Sequence, residues 1–259
     1  MSDENNPNVF NTIEEALTAI RQGEMIMVVD DDDRENEGDL IMAASKATPE
    51  AVAFMIRHTS GILCTPILQE QAVKLHLDPM VSRNDAPMST AFTVSIDYKE
   101  GLTTGISAEE RAATTQALTN SNVTADDFVR PGHIFPLVAR QGGVLVRSGH
   151  TEAGTDLAAL AGLPPVGLLA ELVNDNGTVQ RLPEAQKWDP EAIRQMKVTT
   201  SQPVPGVKSD HVPVEIYHDG KASAASEEDT DRVDYRPVSR EEDVGPTSRI
   251  KMSRISDIR

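Results

Sequence analysis

The chain reads as an α+β protein, a mixed sheet covered by helices. Capped, helix-periodic segments recur between short apolar runs, and those runs are of two kinds. Some are continuously apolar, as strands buried on both faces are, while residues 91–98 alternate strictly. No internal repeat is visible.

The elements follow in order. Thr12 with Glu15 makes a capping box, and Ile13, Leu17 and Ile20 repeat at helical spacing, predicting a helix over 12–22. Met25–Val29 predicts a buried strand. Thr48 with Pro49 in the first turn opens a second helix through Val52, Met55 and Ile56, ending near Gly61. Residues 62–65 read as a short buried strand. In 91–98, Phe92, Val94, Ile96 and Tyr98 share one face and Thr93, Ser95 and Asp97 the other. A loop over 99–106 leads to a second capping box, Ser107 with Glu110, and a helix reaching about Asn120. Apolar residues 132–138, a strand over 144–147, a helix over 151–161 closed by Gly162, and a strand over 166–173 come next. Asn174-Asp175-Asn176-Gly177 is a turn into 178–182. Beyond about residue 184 the apolar periodicity fades, and Pro203, Pro205, Pro213, Pro237 and Pro246 interrupt a polar segment. The sequence therefore divides into a folded unit over 1–183 and a polar extension over 184–259 expected to be largely disordered.

Composition limits the function classes. The 259 residues carry a net charge of −17, with 26 acids against 12 bases over residues 1–183 and 15 against 12 over 184–259. Such acidity argues against nucleic acid, whose phosphates need a basic patch. No run is long and apolar enough for a membrane span, the N-terminus lacks the pattern of a signal peptide, and the single Cys64 fits a reducing compartment. A soluble, cytoplasmic protein is expected. Aromatic content of only 3% leaves packing to Leu, Ile, Val, Met and Ala.

Four places can carry chemistry. Asp30–Asp39 holds seven carboxylates where a strand leaves the sheet, and such crowding calls for a cation or for solvent. Registered on Asp33, an EF-hand loop would need a Glu where Ala44 stands, so that reading fails. Arg147-Ser148-Gly149-His150-Thr151 joins a predicted strand to a helix start; a guanidinium, two hydroxyls and free N–H groups there suit a phosphate monoester, with His150 a candidate metal ligand or base. A capped helix start with a polar core His weighs about equally for that segment. His133 follows Arg130-Pro131-Gly132 and precedes apolar Ile134-Phe135, an oriented, partly desolvated setting for an acid/base group. Glu171 interrupts the apolar run Leu168–Val173, where a carboxylate is costly unless paired, protonated or metal-bound. Cys64 reads as a small buried apolar residue. Nucleotide-binding glycine motifs, the zinc-protease motif and the serine-hydrolase elbow are absent from the sequence. The set fits metal-assisted enolisation of a phosphorylated sugar.

In that order, Asp33-Arg34-Glu35-Asn36-Glu37-Gly38-Asp39, Arg57-His58-Thr59-Ser60-Gly61, Thr103-Thr104-Gly105-Ile106-Ser107, Arg130–His133, Arg147–Glu152 and Glu171-Leu172 resemble the motif set of 3,4-dihydroxy-2-butanone 4-phosphate synthase, across roughly residues 10–183. The resemblance implies that family's fold and a Mg²⁺-dependent (or Mn²⁺-dependent) lyase of riboflavin biosynthesis. It would convert D-ribulose 5-phosphate to L-3,4-dihydroxy-2-butanone 4-phosphate and formate, as a homodimer with active sites at the subunit interface. By motif, Glu35 and His150 would be metal ligands. Arg34, Glu35, Asp39, Arg147, Ser148, Gly149, His150, Thr151 and Glu171 would contact substrate, and His133 and Glu171 would be essential for catalysis. Within the acidic run this leaves Asp30, Asp31 and Asp32 as a solvated charge run. Two departures stand out: Ser148 occupies a position usually Gly or Ala, and residues 185–200 preserve the family's last apolar elements poorly. The alternative enzyme class is a metal-dependent sugar-phosphate isomerase or epimerase, which shares the enediol step and releases no formate.

Overall fold

The computed structural model describes residues 11–31, 34–181 and 184, and the strand segments 196–198, 217–218, 221–222 and 251–253. The architecture is a mixed sheet between helical layers, as the two kinds of apolar run predict. The reading of 184–259 as a disordered extension falls largely outside the described residues.

Helix α1 (Ile13–Gln22) is held by the full Thr12/Glu15 capping box and ends on Gly23, whose φ of 82° is left-handed. Strand β1 (Met25–Val29) is buried throughout and turns through the acidic loop into β2 (Gly38–Ala43), antiparallel to it. Helix α2 (Pro49–His58) begins on Thr48, whose hydroxyl accepts from the Ala51 N–H. After it come β3 (Cys64–Ile67), the short α3 (Gln69–Lys74), β4 (Ile96–Tyr98), α4 (Ala108–Ala117, capped by Ser107 and Glu110), β5 (Phe128–Val138), α5 (His150–Leu160) and β6 (Gly167–Glu171). The central order is β1-β2-β6-β3-β5-β4, with β3 and β5 parallel and the other pairings antiparallel. Farther along the chain, β7 (Met196–Val198) pairs with β1 in parallel, β8 (Tyr217–His218) pairs with β9 (Lys221–Ala222), and β10 (Lys251–Ser253) pairs antiparallel with β1.

Side-chain alternation divides the core between the two faces of the sheet. Met25, Met27, Leu40, Met42, Leu168 and Ala170 point to the face covered by α2 and α4, through Val52, Met55 and Ala112. Ile26, Val28, Ile41, Ala43, Cys64 and Leu169 point to the opposite face, covered by α1 and α5 through Ile20, Ala153 and Leu157. A third cluster closes the β4 end around Ile67, Leu75, Ile96, Leu118 and Phe128. Among the described residues no helix is long and apolar enough to cross a membrane.

Two expectations are corrected and one strand is added. Residues 144–147 are not a strand: a left-handed Gly142–Gly143 pair turns the chain into a single 3-10 turn, Gly143–Leu145. Strand β2, with no alternation and Ile41 as its one β-branched residue, is the second strand of the hairpin that carries the acidic loop. The alternating run is strand only at Ile96–Tyr98, and its polar face is not solvated, since Thr93 and Asp97 are buried.

Leu168 is fully buried on the α2/α4 face. Leu168→Ala is expected to lower unfolding free energy by about 2–5 kcal/mol in urea denaturation without changing the helix content of the native state.

Candidate functional site

The acidic loop is organised from its first residue. Asp30, only 3% exposed, accepts from Arg34 Nη1 (2.7 Å), from the Glu37 N–H (2.8 Å) and from the Glu35 N–H (3.0 Å). Burial works to raise this carboxyl, and attraction to the His150 imidazole together with the three donors outweighs it, so Asp30 titrates below the ordinary carboxylate range. The expectation that Asp30 belongs to a solvated charge run is therefore wrong: a carboxylate at the end of a buried strand faces the chain's own N–H groups before it faces water. Asp32 lies outside the described residues. Arg34, gripped by Asp30, also donates to the Glu35 carboxylate.

Strand pairing then collects the remaining groups. Asp39 on β2 stands directly opposite Glu171 on β6, a like-charge pair that repels across the ladder. Cys64 on β3 is level with both Leu169 and Phe135. Because β6 runs against β3 and β5 runs with it, Glu171 and His133 both lie two residues beyond that level, at the same end of the sheet. All three side chains project to the α1/α5 face, where they extend the row of Ile41, Leu169 and Phe135. No interaction among the described residues joins His133 directly to the Asp39–Glu171 pair, and β3 separates their strands by roughly 10 Å.

Helix α5 brings the other half. It starts at His150, one residue earlier than expected, with Gly149 as its N-cap. A side chain at Gly149 would collide with Arg147 Nη1 and come within 2.9 Å of both Arg34 Nη2 and Glu152 Oε2, so the two guanidiniums converge on this helix start. Arg147 is fixed by Glu152 (2.6 Å) and by the Met88 carbonyl and Thr90 hydroxyl (3.2 Å each). Buried Glu152 also accepts from the Arg140 N–H at 2.9 Å. Free N–H groups at the start of α5, two fixed guanidiniums and the adjacent Ser148 and Thr151 suit a phosphate dianion.

His150 Nδ1 lies 3.5 Å from Asp39 Oδ1, too far for a good hydrogen bond, and among the described residues neither Asp39 Oδ1 nor His150 Nε2 has a hydrogen-bond partner. Burial pushes the His150 imidazole down to about 4, so it is neutral near pH 7, and this contact is not an ion pair. Burial, then repulsion from Glu171, Glu35 and Glu37, holds Asp39 well above the usual carboxylate range. Glu37 is raised by burial and by Glu35 and Glu171. A neutral imidazole with a bare ring nitrogen, among carboxylates that repel one another, fits a hard divalent cation with Glu35 and His150 as ligands.

The remaining predicted groups are anchored by residues the sequence did not single out. Glu171 Oε2 accepts from Ser60 Oγ at 2.6 Å. His133 Nδ1 lies 2.7 Å from Asp97 Oδ2. Of these partners only Ser60 lay in a recognised motif; Asp97 was placed on a polar face, and nothing in sequence spacing ties it to His133. Cys64 is buried, its thiol raised by burial and by Glu171 and Asp39, as an inert apolar residue would be.

A mixed-sheet α+β protein with a phosphate cradle facing an acidic, cation-demanding strand end is the class that fold and site define. The family model of 3,4-dihydroxy-2-butanone 4-phosphate synthase matches residues 14–201, and the chain belongs to that family. The match continues past residue 183, where the sequence pattern had weakened. The chain is similar to the riboflavin biosynthesis protein RibBA of Bacillus subtilis, 54% identical over 176 residues that cover 68% of this chain and 44% of that protein. It is likewise 54% identical to the chloroplastic bifunctional riboflavin biosynthesis protein of Arabidopsis thaliana over 181 residues, 69% of this chain and 33% of the relative. The chain thus spans less than half the length of these curated relatives. Among solved structures, the Candida albicans 3,4-dihydroxy-2-butanone 4-phosphate synthase superposes with a TM-score of 0.64 at 50% identity, covering 69% of this chain and 88% of that one. A 3,4-dihydroxy-2-butanone 4-phosphate synthase in complex with two magnesium ions gives a TM-score of 0.63 at 47% identity, covering 64% and 77%.

Two outcomes follow from the electrostatics. Asp30→Asn leaves buried Arg34 short of a counter-charge and is expected to cost about 3–5 kcal/mol in chemical denaturation. His150 binds its proton in the unfolded chain near 6.5 but in the folded protein only near 4, so its contribution to stability is present above pH 6.5 and lost as pH falls toward 4. The stability difference between the native protein and His150→Gln is therefore expected to shrink between pH 6.5 and 4, read from urea curves at each pH.

Proposed function

We propose that the chain is a lyase of riboflavin biosynthesis that converts D-ribulose 5-phosphate to L-3,4-dihydroxy-2-butanone 4-phosphate and formate. The observation that carries this reading is the convergence of Arg34, Glu35, Asp39, Arg147, His150 and Glu171 at one strand end, in a chain of this family. The substrate phosphate lies against Arg147, Ser148, Gly149 and Thr151 at the start of α5. Arg34 and Asp39 hold the hydroxyl-bearing carbons, with Arg34 fixed from beneath by Asp30. Glu35 and His150 hold Mg²⁺, for which Mn²⁺ can substitute. When bound, the ion polarises the ketone and its neighbouring hydroxyl, which makes the proton α to the carbonyl removable. Glu171, oriented by Ser60, and His133, oriented by Asp97, are the proton-moving groups for enediol formation and the later loss of the 3-hydroxyl.

We further propose a homodimer whose second subunit covers the site. Ile62, Ile106, Leu145 and Val146 are all at least half exposed, and each neighbours a site segment: Ser60, the loop over His133, or Arg147. A protein surface over them would remove apolar area from water and shield the chemistry. Residues 1–183 form the catalytic unit of this scheme, 184–259 a polar extension, and the protein works in the cytoplasm.

Purified protein given D-ribulose 5-phosphate is expected to release formate in Mg²⁺ and to stop when EDTA is added. Isomer or epimer formation without formate would overturn the reading. Glu35→Gln is expected to lower formate release by at least about 10³-fold, as losing a metal-borne transition-state charge should, while its urea midpoint changes little.

A further inference from the structure

We propose that Asp97 is a positioning residue that fixes His133 as its Nδ1–H tautomer and leaves Nε2 bare as the base. The inference rests on the reading that His133 moves protons in the proposed reaction. Asp97 lies on β4, and the β4–β5 register shifts between Ile96, which pairs with Ile134, and Asp97, which pairs with Val129. This irregularity carries the Asp97 side chain to His133, a residue it does not face in the ladder. Both carboxylate oxygens are then used by that one residue. Oδ1 accepts from the His133 backbone N–H at 2.8 Å, and Oδ2 meets His133 Nδ1 at 2.7 Å. The two side chains differ in setting: Asp97 is 4% exposed and His133 is 40% exposed, as suits a buried support beneath a working ring. Gly105 packs directly over the pair. Its φ is +82°, and a Cβ there would collide with Asp97 Oδ2 and sit 2.8 Å from His133 Nδ1. The loop carrying Gly105 is itself pinned, since Glu110 accepts from both the N–H and the hydroxyl of Thr103. Buried Arg111 lies within electrostatic reach of the Asp97 carboxylate.

With both oxygens accepting, the Nδ1 facing Oδ2 must carry the proton, and Nε2 is left as an acceptor. The geometry makes Asp97→Asn a directed change. The His133 backbone N–H has to meet an acceptor, so the Asn carbonyl must take the place of Oδ1 and its NH₂ must face Nδ1. Nδ1 is then forced to accept, the ring proton moves to Nε2, and the base is lost while the shape is kept.

The experiment uses full-length protein labelled with ¹⁵N-histidine, with the His133 signals assigned by their loss in His133→Gln. Wild type is expected to show Nδ1–H and Asp97→Asn to show Nε2–H. In formate release from D-ribulose 5-phosphate with Mg²⁺, Asp97→Asn should lower kcat by about 10²–10⁴-fold, the scale on which a reversed imidazole tautomer acts, with KM within about twofold. Adding Asp97→Asn to His133→Gln should cost nothing more. An Nε2–H ring in wild type overturns the inference whether or not the variant folds. So does an Asp97→Asn enzyme that keeps its kcat or loses only KM or thermal stability, the marks of a purely structural residue. Wild-type protein that releases no formate would instead defeat the proposed function, and its tautomer would still report on the pair.

Discussion

The site depends on a carboxylate that does no chemistry. Asp30 is taken out of water at the end of β1, which by itself is costly, and the chain offsets this by bending three donors onto it. Two of them are backbone N–H groups of Glu35 and Glu37, so satisfying Asp30 also sets the path of the loop. The third is Arg34, whose guanidinium thereby stands over the start of α5 beside Arg147. The loop's exit is fixed as a consequence. Gly38 enters β2 in a register that sets Asp39 against Glu171 and beside His150.

That register is unfavourable by itself. Burial, and then repulsion from Glu171, Glu35 and Glu37, raises the affinity of Asp39 for protons, and burial with Glu35 and Glu171 does the same at Glu37. A sequence selected for stability alone would not place two carboxylates opposite each other on neighbouring central strands. The repulsion has a use only if something of opposite charge enters. A divalent ion there would satisfy the carboxylates and the His150 ring nitrogen together, and would gain free energy by relieving their repulsion. The phosphate cradle shows the complementary logic. Arg147 and Arg34 are each held by a carboxylate, Glu152 and Asp30, so their forks do not have to be ordered when the anion arrives.

Much of this was legible in the sequence, for reasons particular to each segment. Both capping boxes, Thr12/Glu15 and Ser107/Glu110, are local patterns and appear where spacing placed them. Glu171 stood out because a lone acid in an apolar strand contradicts its surroundings. Other features depend on partners far along the chain. Strand β2 carries a continuous apolar run too short to separate from a loop, and its pairing with β1 and β6 decides its state. Residues 144–147 have strand-like composition, yet the glycine pair at 142–143 turns the backbone before a ladder can form. Asp30 was not told apart from the other acids because a charge run has no internal mark of which member the strand end will bury. Asp97 lay in clean alternation, a pattern that reports which residues share a face and not what covers it.

The two groups proposed to move protons end up on supports of different kinds, and the difference suits the roles proposed for them. Glu171 is held by a single hydroxyl, Ser60, which can donate whether the carboxyl is charged or neutral on its other oxygen. That support tolerates a change in protonation. His133 is held by a carboxylate whose second oxygen is committed to the backbone, which leaves the ring one tautomer. That support forbids one of the two neutral forms and stabilises the cation when the ring takes a proton. A group that must gain and lose a proton in sequence is served by the first arrangement, and one that must accept a proton at a defined atom by the second. Their common level at one end of the sheet, set by the opposite directions of β6 and β5 about Cys64, would let both act on one substrate without lying next to each other in the fold.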